Sequence, residues 1–232
     1  MIYVISGARR TGTSMLMQAI HAGNTTLGLM IAASIDALGH PIDYAACPPA
    51  EIASFIDIVS NKQKERQSQQ PDGYSPNPNG AYEVGTMAYH NARFLRNIPP
   101  DSLIKVLFDG LPNLPRGNYK IIYMERDVDE IRASTKRVEE YLGGDALGAL
   151  ELTKHLPFSC FRPYNQEEID HVLGICRARC DIDIAMVNYN DVINDPLEQF
   201  NKLKSLGWPI IPEVCASEID QTLYRSRKEL GK

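Results

Sequence analysis

The first 20 residues constrain the fold of this chain more than any other segment. They form a short apolar run, a loop with two glycines, and a second apolar run with helical periodicity. Glycine adopts the positive φ angles that tight turns require, so Gly7 and Gly12 let the backbone turn while the amides between them point at one spot. A strand, a glycine loop and a helix N-terminus in this order form an anion site. The segment therefore predicts an α/β fold that binds a phosphate-like group.

The loop has the spacing of a P-loop, GxxxxGK[ST], with one departure. Thr13 stands where the P-loop has its lysine, which normally reaches the β- and γ-phosphates of a nucleoside triphosphate. The departure indicates a donor other than an ordinary nucleoside triphosphate. Arg10 adds a fixed positive charge with a planar fork suited to oxyanions. The residues expected to build the cradle are Gly7, Arg9, Arg10, Thr11, Gly12, Thr13 and Ser14.

Strand-like runs rich in Val, Ile and Tyr alternate with helix-like segments along the chain. Strands are expected at 2–6, 103–108, 119–124 and 182–188, and helices at 13–22, 50–66, 127–141, 166–180 and 196–205. Segment 26–34 fits either a further strand or a turn of buried helix. This alternation predicts a doubly wound, mainly parallel sheet, in which ligands bind beyond the carboxyl ends of the strands.

The length of 232 residues and the apolar content of 44% predict one domain over 1–232. Segments near 67–90 and 142–165 carry Pro and Gly and are expected as irregular loops or lids. No run approaches the roughly 18 apolar residues of a membrane span, and the N-terminus is unlike a secretory signal. The net charge of −5 weighs against general binding to nucleic acid. These features indicate a cytoplasmic protein.

The five cysteines are scattered and odd in number, unlike a disulfide framework. His171, Cys176 and Cys180, completed by Cys160, are conceivable metal ligands. However, a spacing of four within the predicted helix 166–180 also fits two small residues on one packed face. Reduced thiols and no metal site are therefore expected.

A second group of polar residues lies at mid-chain. Arg126 follows the predicted strand 119–124, and Ser134 lies two turns into the next helix. An arginine at a strand tip and a helix hydroxyl can close on one phosphate. Asp127 or Asp129 is expected to cap that helix. The alternative for Arg126 is a surface ion pair with a neighbouring carboxylate.

Together the two segments resemble the nucleotide signatures of the sulfotransferase superfamily. VISGARRTGTSML resembles the PRSGTS-like loop of that superfamily, and KIIYMERDVDEIRAS resembles its R-D-x-x-E-x-x-x-S element. Segments 77–83, 187–192 and 223–227 are similar to parts of small bacterial and phage sulfotransferase-like P-loop proteins. The resemblance covers most of the chain and implies a sulfotransferase-like three-layer sandwich.

The resemblance implies that the donor is 3′-phosphoadenosine 5′-phosphosulfate (PAPS). Residues Arg10 to Ser14 would hold its 5′-phosphosulfate, and Arg126 and Ser134 its 3′-phosphate. This donor has a single phosphate beside the transferred sulfuryl group, which fits the missing P-loop lysine. Transfer builds charge on the departing phosphate, which loop amides and Arg10 can stabilise. The scheme requires no metal.

An acceptor hydroxyl or amine needs a general base, and Glu83 is the first candidate. It lies just beyond the long polar loop, and some sulfotransferases that resemble this chain use a glutamate from that region. His90 is second because imidazole titrates near neutral pH, and Asp109, which follows the predicted strand 103–108, is third. A purely structural role is the alternative for Glu83 and His90. Lys105 lies inside a predicted strand and is left out of the site.

Three functions follow from these residues. The first is a PAPS-dependent sulfotransferase that acts on an unidentified small-molecule or nucleoside-type acceptor. The second is an ATP-dependent kinase, in which Arg10 replaces the P-loop lysine, Asp109 holds Mg²⁺, and the substrate is a hydroxyl of a nucleoside or of a hydroxymethylated base in DNA. The third is a nucleotide-binding module without catalysis.

Overall fold

The computed structural model describes residues 1–29, 100–142 and 165–220, with the backbone alone at 28–29 and 137–142. Its strands are β1 Ile2–Gly7, β2 Gly28–Leu29, β3 Ser102–Lys105, β4 Tyr119–Glu125 and β5 Ile182–Asn188. Its α-helices are α1 Thr13–Gly23, α2 Val128–Leu142, α3 Gln166–Arg177, α4 Tyr189–Asn194, α5 Pro196–Ser205 and α6 Pro212–Ser217. The predicted helix 50–66, the loop 67–90, segment 143–164, Glu83, His90 and Cys160 lie outside the described residues.

The five strands form one sheet in the order β2-β3-β1-β4-β5, and every neighbouring pair is parallel. β1 lies between β3 and β4, with Ile5 opposite Lys105 on one side and Ile122 on the other. This topology confirms the predicted doubly wound α/β fold. Because the strands are parallel, Gly7, Lys105 and the last residues of β4 and β5 lie along one edge of the sheet.

Side chains of the central strands alternate between two apolar layers, because successive residues of a strand face opposite sides. Val4 and Ile121 pack with α3, whereas Ile5 and Ile122 pack with α1, α4, α5 and the loop that carries Trp208. Each of these four strand residues is fully buried. Helices therefore cover both faces of the sheet, and the sheet edge is left to carry the polar groups.

The predicted strand 103–108 is wrong at its end. β3 stops at Lys105, and Phe108–Asn113 form a 3₁₀ helix that contains Pro112. Proline has no backbone N–H to donate to a strand ladder, which favours a turn here. The apolar residues from 106 to 108 are buried as the chain leaves the sheet, so they imitate a strand pattern.

The predicted helix 166–180 is also too long. α3 ends at Arg177, Cys176 is buried, and Cys180 is exposed beyond the helix end. Arg179 is engaged instead with the carboxylate of Asp181 and with two backbone carbonyls. The spacing of four is compatible with one packed face for both cysteines, but in the structure they do not share one. Within the described ranges no three His, Cys, Asp or Glu side chains are grouped so as to hold a metal ion.

The remaining predicted elements within the described residues are confirmed to within two residues at their ends. Segment 26–34 was open between strand and helix, and its described part contains β2. None of the helices in the described part of the chain is both long and apolar enough to cross a bilayer.

Candidate functional site

The loop between β1 and α1 has the backbone geometry of an anion cradle. Gly7 and Gly12 have φ angles of 156° and 93°, and Arg10, a non-glycine residue, has 67°. A left-handed conformation costs a residue such as arginine roughly 1 kcal/mol, so the loop stores strain at Arg10. A Cβ at Gly7 would lie 2.8 Å from the carbonyl oxygen of Met124. The first glycine therefore allows β1 and β4 to stay in close contact where the loop begins.

The helix that follows the loop favours a negative ligand. Gly12 is the N-cap of α1, no side chain caps this end, and the first turn contains no acidic residue. The positive end of the helix dipole and its amides are therefore directed at the loop. Thr11 and Thr13 are buried, and the Thr11 hydroxyl donates to the carbonyl oxygen of Ala8 at 2.7 Å. Thr11 thus stabilises the loop.

Lys105 lies at the end of β3 and brings a positive charge to this helix terminus. Its Nζ donates to Ser14 Oγ at 2.9 Å, and the residue is 2% exposed. Lys105 is not among the predicted site residues, because a lysine within a strand can be structural. One signal was available: a charged residue inside an apolar strand run requires a polar partner in the fold. Lys105 thus brings an ammonium to the first turn of α1, the helix terminus from which the lysine of the motif is missing.

Arg126 directly follows β4 and joins the mid-chain group to the loop. Its Nε donates to Glu130 Oε2 at 2.9 Å, and its Nη1 donates to the carbonyl oxygen of Arg10 at 2.9 Å. The two ion-paired side chains are 7% and 3% exposed. Arg126 does pair with a neighbouring carboxylate, as the alternative expected, but the pair is buried and does not lie on the surface. Arg126 also holds the glycine loop.

Ser134 contacts the loop from helix α2. Arg10 Nε donates to Ser134 Oγ at 3.2 Å, and Ser134 is 7% exposed. Asp127 caps the helix, since its Oδ1 accepts from the amide of Asp129 at 2.9 Å and from that of Glu130 at 3.4 Å. One of the two predicted caps is therefore confirmed. The fold brings the two sequence segments together through Arg10.

Tyr189 is a residue of this site that the sequence analysis did not single out. It is the first residue of α4, it is 6% exposed, and its ring centroid lies 4.1 Å from Cζ of Arg126. A Cβ on Gly12 would collide with its ring carbons Cδ2 and Cε2. Burial raises the pKa of the Tyr189 phenol, against the opposing effect of the Arg126 charge. Its segment had entered only as part of a resemblance, because nothing local marks a tyrosine as a neighbour of the loop.

The other predicted residues are placed as follows. Asp109 lies partly buried in the 3₁₀ helix that follows β3, and Arg9 lies partly buried on the loop. Of the three candidate bases, Asp109 alone lies within the described residues. Cationic groups of the loop, β3 and the β4 end thus gather at one sheet edge, although the chain as a whole carries a net charge of −5.

A parallel α/β sheet with a glycine loop between β1 and α1 has the strand–loop–helix architecture of a P-loop-like α/β fold. Its particular fold is that of sulfotransferases. The sulfotransferase domain from the curacin biosynthetic pathway matches with a TM-score of 0.50 and 14% identity, over 99% of this chain and 92% of that domain. This match confirms the sulfotransferase-like fold that the sequence predicted.

Two solved structures of retinol dehydratase match more distantly, at 13% identity each. The complex with androsterone and inactive cofactor PAP has a TM-score of 0.41, and the match covers 97% of this chain and 64% of that chain. The complex with retinol and PAP has a TM-score of 0.40, with 97% and 69% covered. This chain thus spans about two thirds of the length of retinol dehydratase. No protein-family model and no curated protein matches the sequence.

Proposed function

We propose that this protein is a PAPS-dependent sulfotransferase, which moves a sulfuryl group to a hydroxyl or amine of a small-molecule or nucleoside-type acceptor. The observation that carries the proposal is that Arg126 and Ser134 both contact Arg10 of the glycine loop, which brings groups suited to a second phosphate beside the first. The fold shared with a sulfotransferase domain supports it at the level of architecture. An identity of 14% leaves the chemistry to be argued from the site itself.

The loop residues Arg10 to Ser14 suit the 5′-phosphosulfate of the donor. Their amides stand at a helix N-terminus without an acidic residue, and Arg10 and Lys105 supply charge beside it. Arg126 and Ser134 are the groups proposed for the 3′-phosphate. Both contact Arg10, so a second phosphate bound between them would lie close to the first.

The proposed reaction needs charge stabilisation and one proton transfer. The acceptor atom bonds to sulfur, and the bond between sulfur and the bridging phosphate oxygen breaks. Lys105 and Arg10 then stabilise the negative charge that grows on that oxygen, at a buried site where a fixed charge acts strongly. A general base takes the acceptor proton. Glu83 is the proposed base, with His90 and Asp109 as alternatives.

The kinase is the competing function, and the same lysine favours it. A buried ammonium at the first turn of α1 is also suited to the β- and γ-phosphates of a nucleoside triphosphate. A kinase of this kind requires Mg²⁺ between the phosphates, whereas the proposed sulfuryl transfer does not. Metal dependence of donor binding therefore separates the two functions.

The test is calorimetric titration with adenosine 3′,5′-bisphosphate (PAP), adenosine 5′-monophosphate, and ATP with and without Mg²⁺. We expect metal-independent binding of PAP, clearly tighter than binding of the monophosphate. Ser134→Ala should reduce that difference. Arg132→Ala is the matched control, because Arg132 lies on the same helix, 65% exposed, and pairs with Asp129. Binding of Mg·ATP without binding of PAP contradicts the proposal.

The base is tested separately, once an acceptor is found by mass spectrometry of small-molecule mixtures incubated with PAPS. Glu83→Gln should lower turnover and leave PAP affinity near that of the wild type, since a base acts on the acceptor. His90→Asn and Asp109→Asn serve as comparisons. Undiminished turnover of the Glu83 variant rejects that residue as the base and leaves the donor site standing.

A further inference from the structure

We infer that Tyr189 is a positioning residue of the proposed donor site, where its ring fixes the glycine loop and the Arg126 guanidinium relative to each other. The inference rests on the proposed function for its ligand. Its geometry comes from contacts within the protein itself. Three strands contribute to it: the loop follows β1, Arg126 follows β4, and Tyr189 follows β5.

The first contact is between the ring and the loop backbone. Gly12 has a φ of 93°, and any side chain there would collide with Cδ2 and Cε2 of Tyr189. The absence of a Cβ is therefore what allows the ring to reach the loop. Since Gly12 is also the N-cap of α1, the ring packs against the residue that directs the helix amides.

The second contact is between the ring and Arg126. Cζ lies 4.1 Å from the ring centroid, and both residues are nearly buried. A cation–π contact is strongest when both partners are desolvated in this way. Two nitrogens of the same guanidinium also donate hydrogen bonds, Nε to the carboxylate of Glu130 and Nη1 to the carbonyl oxygen of Arg10. These contacts together fix the orientation of the guanidinium.

The sheet sets the position of Tyr189 itself. β5 pairs with β4 in parallel, with Asn188 opposite Glu125, so the residues after these two are neighbours. Asn188 caps α4 by accepting from the amide of Asn190 at 2.8 Å. The ring therefore projects from a backbone that a strand pairing and a helix cap hold in place, as preorganisation of a site requires.

A bisphosphate must be met by the loop and by Arg126 at the same time, so its affinity depends on their separation. Without the ring, one contact that holds the two groups together is lost, and their separation is fixed less tightly although Arg126 still donates to the carbonyl oxygen of Arg10. Tyr189→Leu should therefore weaken binding of PAP by about tenfold, which corresponds to about 1.4 kcal/mol and lies within the range of cation–π contacts. Tyr189→Phe keeps the ring and should bind PAP within about twofold of the wild type, well below a tenfold change.

The experiment compares these variants by calorimetry with PAP, and by amide hydrogen exchange of residues 8–14 without ligand. Support requires weaker PAP binding and faster loop exchange in Tyr189→Leu, both restored in Tyr189→Phe, with unchanged circular dichroism. Wild-type PAP affinity in the leucine variant overturns the inference whatever the exchange shows. A phenylalanine variant as weak as the leucine variant also overturns it. If the Tyr189→Leu variant does not fold, Tyr189→Met provides the same comparison, because methionine has a volume similar to that of leucine.

Failure of the proposed function gives a different result. If the wild type does not bind PAP, the donor assignment falls, and the exchange data alone decide whether the ring orders the loop. Equal exchange in the wild type and the leucine variant then overturns the positioning role.

Discussion

Lys105 donates a hydrogen bond to the hydroxyl oxygen of Ser14 across 2.9 Å, although 91 positions separate the two residues in the chain. β3 and β1 are neighbours in the sheet, and this pairing carries the ammonium to the first turn of α1. The positive charge that the motif lacks in sequence is therefore present in space.

Lys105→Met should abolish most of the proposed transferase activity without unfolding the protein. The ammonium is expected to stabilise charge that develops during transfer, and loss of such a group typically lowers kcat by about 10² to 10³. A methionine fills a similar apolar volume, so the substitution keeps the packing of the strand. Turnover with PAPS and thermal unfolding are the measurements.

Lys120→Met is the matched control for that experiment. Lys120 is also a strand lysine, but it lies near the opposite end of β4 and pairs with Asp183. Its replacement should leave turnover unchanged. Equal loss in both variants would show that a strand lysine is needed for the fold and would remove Lys105 from the chemistry.

Glu130→Gln should destabilise the protein by about 3 kcal/mol, because it leaves the buried guanidinium of Arg126 without its carboxylate. Asp129→Asn breaks an ion pair on the same helix whose side chains are 61% and 65% exposed. That change should cost less than about 1 kcal/mol. Urea denaturation gives both free energies of unfolding, and equal values would contradict the role assigned to the buried pair.

Asp181 should make stability fall as the pH is lowered below about 4, its ordinary pKa. Hydrogen bonds from Arg179 and from the amide of Gly117 hold its pKa well below that value in the folded protein. A depressed folded pKa stabilises the protein above the unfolded pKa, and this contribution disappears as pH falls toward the folded value. The stability difference between wild type and Asp181→Asn should therefore be constant at neutral pH and shrink below about pH 4.

Asp183→Asn is the comparison for the acid range. Asp183 lies on the same strand with its side chain 70% exposed. Its substitution removes one exposed carboxylate and so controls for the loss of a negative charge. Parallel curves for wild type and Asp181→Asn down to pH 2 would contradict the assignment to Asp181.

Cys215 should resist alkylation in the native protein, whereas Cys180 should react. Burial raises the pKa of the Cys215 thiol to about 12, so almost no thiolate is present at pH 8. Cys180 is exposed. A brief iodoacetamide pulse followed by peptide mass spectrometry should modify Cys180 first and reach Cys215 only in denaturant. Modification of both at similar rates under native conditions would contradict the buried position.

Local patterns predicted much of the architecture. The alternation of strands and helices predicted the parallel sheet, and the segments at 119–124 and 196–205 were placed nearly to the residue. Errors arose where burial and secondary structure diverge. Phe108 is a buried apolar residue and so fits a strand pattern, although its backbone has left the sheet and begins a 3₁₀ helix. The predicted helix 166–180 was too long because Arg179 lies beyond the helix end, where it donates to the carbonyl oxygens of Leu114 and Pro115, distant in the chain.

The sequence by itself determined the glycine loop, its missing lysine, and the arginine and serine of the second segment, because each depends on residues close together in the chain. Only the tertiary structure decided that Lys105 and Tyr189 belong to the same site. Their strands, β3 and β5, are not adjacent to β1 in sequence, and strand order follows from how two helical layers cover the sheet. Parallel pairing then brings the ends of distant strands to one edge, where the missing charge is restored.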